Sequence, residues 1–153
     1  MSRAAWLLVG YLLVLGALTF LPLDGFDTAD PVDLRLQAFR TINFALRRGV
    51  TSYQFLILLG NMAAFVPLGI LVPLALRRRS ALLVFVSAAA ASIAIEIGQL
   101  ALSVALGWAY RSADIDDVIV NVAGAMVGYA LLLIWSLLVD RDRPAGASGS
   151  GRT

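Results

Sequence analysis

Long apolar runs separated by short polar connections dominate the sequence. A helix rises about 1.5 Å per residue, so about 20 apolar residues cover the roughly 30 Å of hydrocarbon in a bilayer. Four runs reach this length, and we predict one membrane-spanning helix in each: residues 4–23, 53–76, 81–106 and 118–139. The pattern therefore predicts an all-α fold, a membrane four-helix bundle whose transmembrane domain covers residues 4–139.

The connection between the first and second runs has a different periodicity. Asp30 followed by Pro31 is typical of the start of a helix. Apolar residues then recur at helical spacing, with charged residues on the other side: Val32, Leu36, Phe39, Ile42 and Leu46. We predict an amphipathic helix in the headgroup region, between the first and second transmembrane helices. The same helix can instead fold over the bundle as a lid, and both arrangements fit the pattern.

Composition agrees with a membrane protein. Of the 153 residues, 60% are hydrophobic and 14% are charged, and the mean hydropathy is +0.86. A soluble domain of this length would carry about 25% charged residues. The absence of cysteine and histidine excludes disulfides and thiolate metal sites, and it leaves carboxylates for acid–base chemistry. No basic stripe with interleaved aromatic residues is present in the sequence, so nucleic-acid binding is not expected.

The second and third runs contain polar residues that lipid tolerates poorly. An ionisable residue such as Glu96 costs roughly 3 kcal/mol or more at the centre of a bilayer unless it has a partner, and it therefore indicates a functional site. Ser92, Glu96, Gln99 and Ser103 follow one another at intervals of four, three and four, so they share one helix face that must look into the bundle. Asn61 in the second run is either a hydrogen-bonding contact between helices or part of the same site.

On one face of the fourth run, the first residues are polar and the following residues are small. Asp117, Asn121, Gly124 and Gly128 recur at intervals of four, three and four. Two glycines four residues apart let another helix approach closely. The approaching helix belongs either to the same chain or to a second copy, in a homodimer that packs through Gly124 and Gly128.

The arginines predict the orientation of the chain. Four spans place both termini and the Arg77–Arg79 turn on one side, which carries seven arginines against five on the other. The positive-inside rule then puts both termini of this multi-pass membrane protein in the cytoplasm. Residues 140–153 end in a glycine- and serine-rich stretch, and we predict a disordered cytoplasmic tail there.

This topology gathers polar residues from three spans in the outer half of the membrane. The group consists of Asn61, Glu96, Gln99 and Asn121, with Arg111, Asp114, Asp116 and Asp117 directly above it. In a structural interpretation, Glu96 is protonated or paired with Arg111 and only fixes the helix arrangement. In a binding or catalytic interpretation, Glu96 and an aspartate act as acid and base, or as anchors, for an amphiphile from the outer leaflet. Arg111 can then hold a phosphate or carboxylate.

A metal site is the third interpretation. Carboxylate oxygens of Glu96, Asp114, Asp116 and Asp117 suit Mg²⁺ or Ca²⁺, although their spacing matches no established metal-binding loop. A transporter is a less suitable function, because one small bundle without internal repeats offers little for alternating access.

The polar and small positions also form one ordered pattern. It reads Asn61-x-x-x-Phe65-x-Pro67-Leu68-Gly69, then Glu96-x-x-Gln99, then Arg111-x-x-Asp114-x-x-Asp117-x-x-x-Asn121-x-x-Gly124-x-x-x-Gly128. No single piece is specific, but the ordered set resembles the VanZ-like family of bacterial membrane proteins. The resemblance extends from the first span through the fourth.

The resemblance implies a plasma-membrane protein in a family named for a member associated with low-level teicoplanin resistance. It implies no established reaction and no cofactor, so whether the protein is an enzyme stays open. The positions that match the motif are Glu96, Gln99, Arg111, Asp114, Asp117 and Asn121. Our leading hypothesis is a protein that alters the handling of a glycopeptide or cell-wall lipid precursor at the outer leaflet. The alternatives are a lipid-modifying or hydrolytic enzyme that uses Glu96 with Asp114 or Asp117, and a non-catalytic membrane scaffold.

Overall fold

Four long helices and a short connecting helix make up the protein. The computed structural model describes residues 2–21, 34–107 and 113–141. Its elements in chain order are α1 Arg3–Phe20, β1 Leu34–Arg35, α2 Arg40–Arg48, α3 Tyr53–Leu76, α4 Ala81–Leu106, β2 Ala113–Asp114 and α5 Ile115–Arg141. The four long helices α1, α3, α4 and α5 are each long and apolar enough to cross a membrane. The predicted all-α four-helix bundle is confirmed.

The bounds of α3 and α4 are those predicted, because local signals define them. Ser52 and Ser80 precede these helices, and their hydroxyls accept hydrogen bonds from the backbone N–H groups of Phe55 and Leu83, each at 3.3 Å. The other two helices differ from the prediction at both ends: α1 covers Arg3–Phe20 rather than residues 4–23, and α5 covers Ile115–Arg141 rather than residues 118–139.

The helix that was predicted to begin at Asp30 is shorter than expected. Residues 22–33, with Asp30 and Pro31, lie outside the described part of the chain. Leu34 and Arg35 form β1, which pairs in parallel with β2 in the register Leu34 to Ala113 and Arg35 to Asp114. Phe39 then has a φ of 63°, in the left-handed region, and α2 begins only at Arg40. The prediction was wrong about residues 34–39 because the pairing with β2 is a contact between segments distant in sequence.

The helices α3 and α5 pack with their backbones in contact. A methyl group added at Gly124 or Gly128 would overlap the carbonyl oxygen of Met62 or Val66 of α3, and one added at Gly69 would overlap the backbone of α5 at Ala125. Gly124 and Gly128 therefore serve packing within one chain. A homodimer through the same two glycines stays a prediction, and it requires α5 to separate from α3.

These contacts also give the helix directions and define two ends of the bundle. Residue numbers rise together along α3 and α5, so these helices are parallel. The pair Ser92 and Asn121, together with the pair Glu96 and Asp114, shows that α4 runs the opposite way. We call the end that carries the Arg77–Arg79 turn the arginine end, and the end that carries α2, β1 and β2 the α2 end. An apolar core lies between them, formed by Leu15, Phe65, Leu68, Val72, Val84, Ala88, Ala125 and Tyr129.

The close approach of α3 and α5 leads to a testable prediction about stability. We expect Gly124→Ala to lower the free energy of unfolding by about 1–3 kcal/mol, because the new methyl group forces the two backbones apart. The matched control is Gly60→Ala in α3, where nothing lies within 4 Å of the added methyl group. Alanine there should leave stability unchanged or raise it by up to about 1 kcal/mol through helix propensity. Thermal unfolding of both variants in detergent, followed by circular dichroism, measures the difference, and equal stabilities would contradict the packing described.

Candidate functional site: a polar cavity between four helices

A polar cavity of about 360 Å³ lies between α1, α3, α4 and α5, toward the α2 end of the bundle. Half of its lining is polar, from all four long helices: Thr19, Asn61, Glu96, Gln99, Asp117 and Asn121. The other half is apolar: Leu15, Leu18, Ile57, Ala64, Phe65 and Ile95. Five of the six polar side chains were predicted from sequence, and Thr19 was missed. A single threonine in an apolar run gives little signal, because its hydroxyl can bond its own helix, as it does here to the Leu15 carbonyl at 2.7 Å.

Glu96 connects this cavity to the start of α5. Its Oε2 atom accepts a hydrogen bond from the backbone N–H of Asp114 at 2.9 Å. The same residue, Asp114, is the partner of Arg35 in the β1–β2 pair. The carboxylate of Glu96 is therefore hydrogen-bonded to the last residue of β2, directly before α5 begins.

Asp116 lies beside the cavity group but serves another purpose. Its side chain is fully buried, and its carboxylate accepts from the backbone N–H groups of Phe39, Thr41 and Ile42 at 2.5, 2.7 and 3.1 Å. These N–H groups belong to the N-cap and the first turn of α2. The N-cap residue, Phe39, has no side-chain atom that could accept a hydrogen bond from them. A carboxylate at a helix N-terminus accepts hydrogen bonds from the free amides and interacts favourably with the positive end of the helix dipole. Asp116 is therefore the cap of α2, supplied from a different helix.

Asp114 strengthens the same junction. One of its carboxylate oxygens accepts from the Thr41 hydroxyl at 2.5 Å, and the other accepts from the Asp116 backbone N–H at 2.9 Å. Its side chain is buried and directed at α2 and at the first turn of α5, not at the cavity. We call this group, Asp114 and Asp116 with their partners at residues 39–42, the α2 clamp. Sequence reasoning placed both aspartates near the site but missed the clamp, since nothing local links residue 116 to residue 39.

Asn121 brings α4 and α5 together at the floor of the cavity. Its Nδ2 atom donates to the Ser92 hydroxyl at 2.9 Å, and both side chains are buried. Within the described part of the chain, the Oδ1 atom of Asn121 has no hydrogen-bond partner. A buried carbonyl oxygen without a donor costs about 1–3 kcal/mol. A group that carries an N–H or O–H donor would remove this cost by binding there.

The structure separates the predicted site residues into three sets. Asn61, Glu96, Gln99, Asp117 and Asn121 line the cavity together. Asp114 lies next to it but takes part in the α2 clamp. Arg111 lies outside the described residues, so its predicted contact with Glu96 or with a phosphate group is not located.

The carboxylates do not assemble in the way the metal interpretation requires. Among residues 2–21, 34–107 and 113–141, no three acidic side chains lie close enough together to hold one metal ion. Asp116 directs both of its oxygens at the amides of α2 instead. Glu96 and Asp117 reach the cavity from separate helices, and they are the charged side chains of its described lining.

The sequence was compared with protein families, curated proteins and solved structures. The sequence model of the family described as VanZ/LLP1 matches residues 8–136. This range includes the cavity lining and the α2 clamp. No curated protein and no solved structure gives a significant match.

The α2 clamp predicts a local loss of order when Asp116 is changed. In Asp116→Ala the N–H groups of Phe39, Thr41 and Ile42 lose their acceptor, and a lost helix cap costs about 0.5–2 kcal/mol. We expect the amides of α2 to exchange hydrogen roughly 2–30-fold faster, the ratio that about 0.5–2 kcal/mol gives. Hydrogen–deuterium exchange with mass spectrometry on the protein in detergent measures this.

Asp116→Asn is the matched variant, because it keeps the shape and one acceptor oxygen. Its α2 amides should exchange at a rate between those of the wild type and Asp116→Ala. The amides at the arginine end of α4 serve as an internal reference and should be unchanged in both variants. Wild-type exchange of α2 in Asp116→Ala would show that the carboxylate does not cap this helix.

Proposed function

The chain belongs to the VanZ/LLP1 family, and from this premise we propose that it binds the polar part of an envelope amphiphile in the cavity between its four helices. The protein is a multi-pass membrane protein with four apolar helices. The proposed amphiphile is a cell-wall lipid precursor or a glycopeptide such as teicoplanin, held at the outer leaflet of a bacterial plasma membrane. Binding there would change how the drug or its target is presented at the cell surface.

One observation supports this proposal above the others. Five polar side chains, chosen from sequence because they are costly in lipid, line a single cavity of about 360 Å³. If they served only to join helices, their hydrogen-bonding groups would be expected to pair with one another and leave no space between them. Asn121 instead keeps an acceptor oxygen buried without a donor from the described chain. An open, partly apolar cavity with a few polar groups is the usual form of a small-molecule site.

The proposed orientation places this cavity in the outer half of the membrane. The start of α1, the end of α5 and the Arg77–Arg79 turn lie at the arginine end, so the cavity would belong to the opposite leaflet. The excess of arginines on the terminal side, seven against five, supports a cytoplasmic location for the arginine end. An amphiphile in the outer leaflet would then reach the cavity from the side of α2.

An enzymatic function is the second candidate, and the two carboxylates of the cavity favour it. Glu96 and Asp117 both line the same space, which is the minimum that general acid and general base catalysis needs. A lipid-modifying or hydrolytic enzyme would use them on a bound envelope lipid. The hydrogen bond from Asp114 to Glu96 equally supports a scaffold, in which Glu96 only positions α5.

Teicoplanin susceptibility at constant abundance separates a functional site, binding or enzymatic, from a scaffold. We expect a sensitive bacterium that expresses the wild type to tolerate more teicoplanin, and Glu96→Gln and Arg111→Ala to lose most of this protection. Glutamine keeps an acceptor oxygen for the Asp114 N–H and removes only the ionisable group, so the loss would reflect the site and not the fold. Minimal inhibitory concentrations are measured with membrane levels matched by quantitative blot.

Gly60→Ala is the control variant, since it changes α3 without contact to any neighbour, and it should protect as the wild type does. A scaffold predicts that protection and abundance fall in parallel for every variant. Equal behaviour of the wild type and the empty vector would contradict the proposed link to glycopeptides. Turnover of a labelled envelope lipid by the purified protein, lost in Glu96→Gln, would establish the enzymatic candidate instead.

A further inference from the structure

A second and larger cavity lies at the arginine end, far from the polar one. It is a groove of about 740 Å³ between the last turns of α3 and α5. Its lining is apolar except for Arg79 and Ser136, and it includes Leu74, Leu131 and Trp135. Trp135 is 67% exposed. In a bilayer this surface faces lipid chains, and we call it the α3–α5 groove.

A guanidinium group stands at the rim of this groove. Arg79 donates from Nη1 to the Ser136 hydroxyl at 3.2 Å, which holds its side chain against α5. This bond uses one of the five N–H donors of a guanidinium. Arg77 and Arg78 precede it and are exposed, and none of the lining residues that the structure describes is acidic. The groove thus combines an apolar channel with positive charge at one end.

We propose that the α3–α5 groove binds one anionic phospholipid. An acyl chain lies between α3 and α5, and the phosphate is bound by Arg79. A guanidinium matches a phosphate in both charge and geometry, since two of its N–H groups can donate to two oxygens at once. Basic side chains next to a membrane attract anionic lipids, and tryptophan prefers the level of the headgroups.

Other occupants fit the groove less well. Residues 142–153 follow α5 at this end, but they contain no large apolar side chain to fill an apolar channel. An apolar helix from a second copy would bury the charge of Arg79 without a counter-ion, which is unfavourable. A phospholipid satisfies both parts of the surface. This proposal is independent of the polar cavity, which lies at the other end of the bundle.

Fluorescence quenching of Trp135 by brominated lipids tests the proposal. The full chain carries three tryptophans, so Trp6→Phe and Trp108→Phe are introduced first to leave Trp135 as the reporter. The protein is placed in phosphatidylcholine nanodiscs that contain the same mole fraction of brominated phosphatidylglycerol or brominated phosphatidylcholine. We expect phosphatidylglycerol to bind about fivefold better, the ratio that about 1 kcal/mol per arginine gives.

Arg79→Gln and Arg78→Gln form a matched pair, because both remove one positive charge from the same turn but only Arg79 lines the groove. The preference for phosphatidylglycerol should disappear in Arg79→Gln and persist in Arg78→Gln. Equal quenching by both lipids in the starting protein would show an ordinary lipid-facing surface and overturn the proposal. Equal losses in the two variants would show diffuse attraction to the arginines, and this too would overturn the bound site. Circular dichroism of each variant checks that the fold is retained.

Discussion

Buried carboxylates at the start of α5 hold together the end of the bundle that carries the polar cavity. Asp116 accepts hydrogen bonds from three backbone N–H groups at the start of α2, and Asp114 accepts one from the hydroxyl of Thr41. The backbone of Asp114 in turn donates to Glu96 of α4. A buried carboxylate without such partners would be very costly, so these bonds restrict where α2, α4 and α5 can lie. The cavity exists in the space that this arrangement leaves open.

The helices themselves pack by a different means. Lipid is as apolar as leucine, so burying large side chains contributes little to the association of helices within a membrane. Leu7, Leu82 and Leu137 accordingly face outward, each more than half exposed. The contact between α3 and α5 depends instead on Gly69, Gly124 and Gly128, whose missing side chains let the backbones touch. The helix α5 thus packs closely against α3 on one side and forms hydrogen bonds with α4 on the other. These two sets of contacts keep the helices in place around the cavity.

Two sites of opposite character lie at the two ends of this bundle. The polar cavity offers carboxylates and amide groups between the four long helices. The α3–α5 groove offers an apolar surface with a guanidinium at its rim. Both sites would serve a protein that is proposed to act on envelope amphiphiles. An anionic lipid at the arginine end would fix the position of the protein in the bilayer, and the cavity at the α2 end would bind the amphiphile. The α2 clamp lies beside the cavity, because the backbone of Asp114 bonds Glu96 of the cavity lining.

The sequence by itself determined the four spans, the bounds of α3 and α4, and five of the six polar residues that line the cavity. Each of these depends on local chemistry: apolar length for a span, Ser52 and Ser80 for helix starts, and helical spacing for the face shared by Ser92, Glu96 and Gln99. Only the tertiary structure decided that α2 begins at Arg40 and that Asp116 caps it. The β1–β2 pair and the α2 clamp join residues more than 70 positions apart, and no local pattern specifies which distant amide a carboxylate will bind.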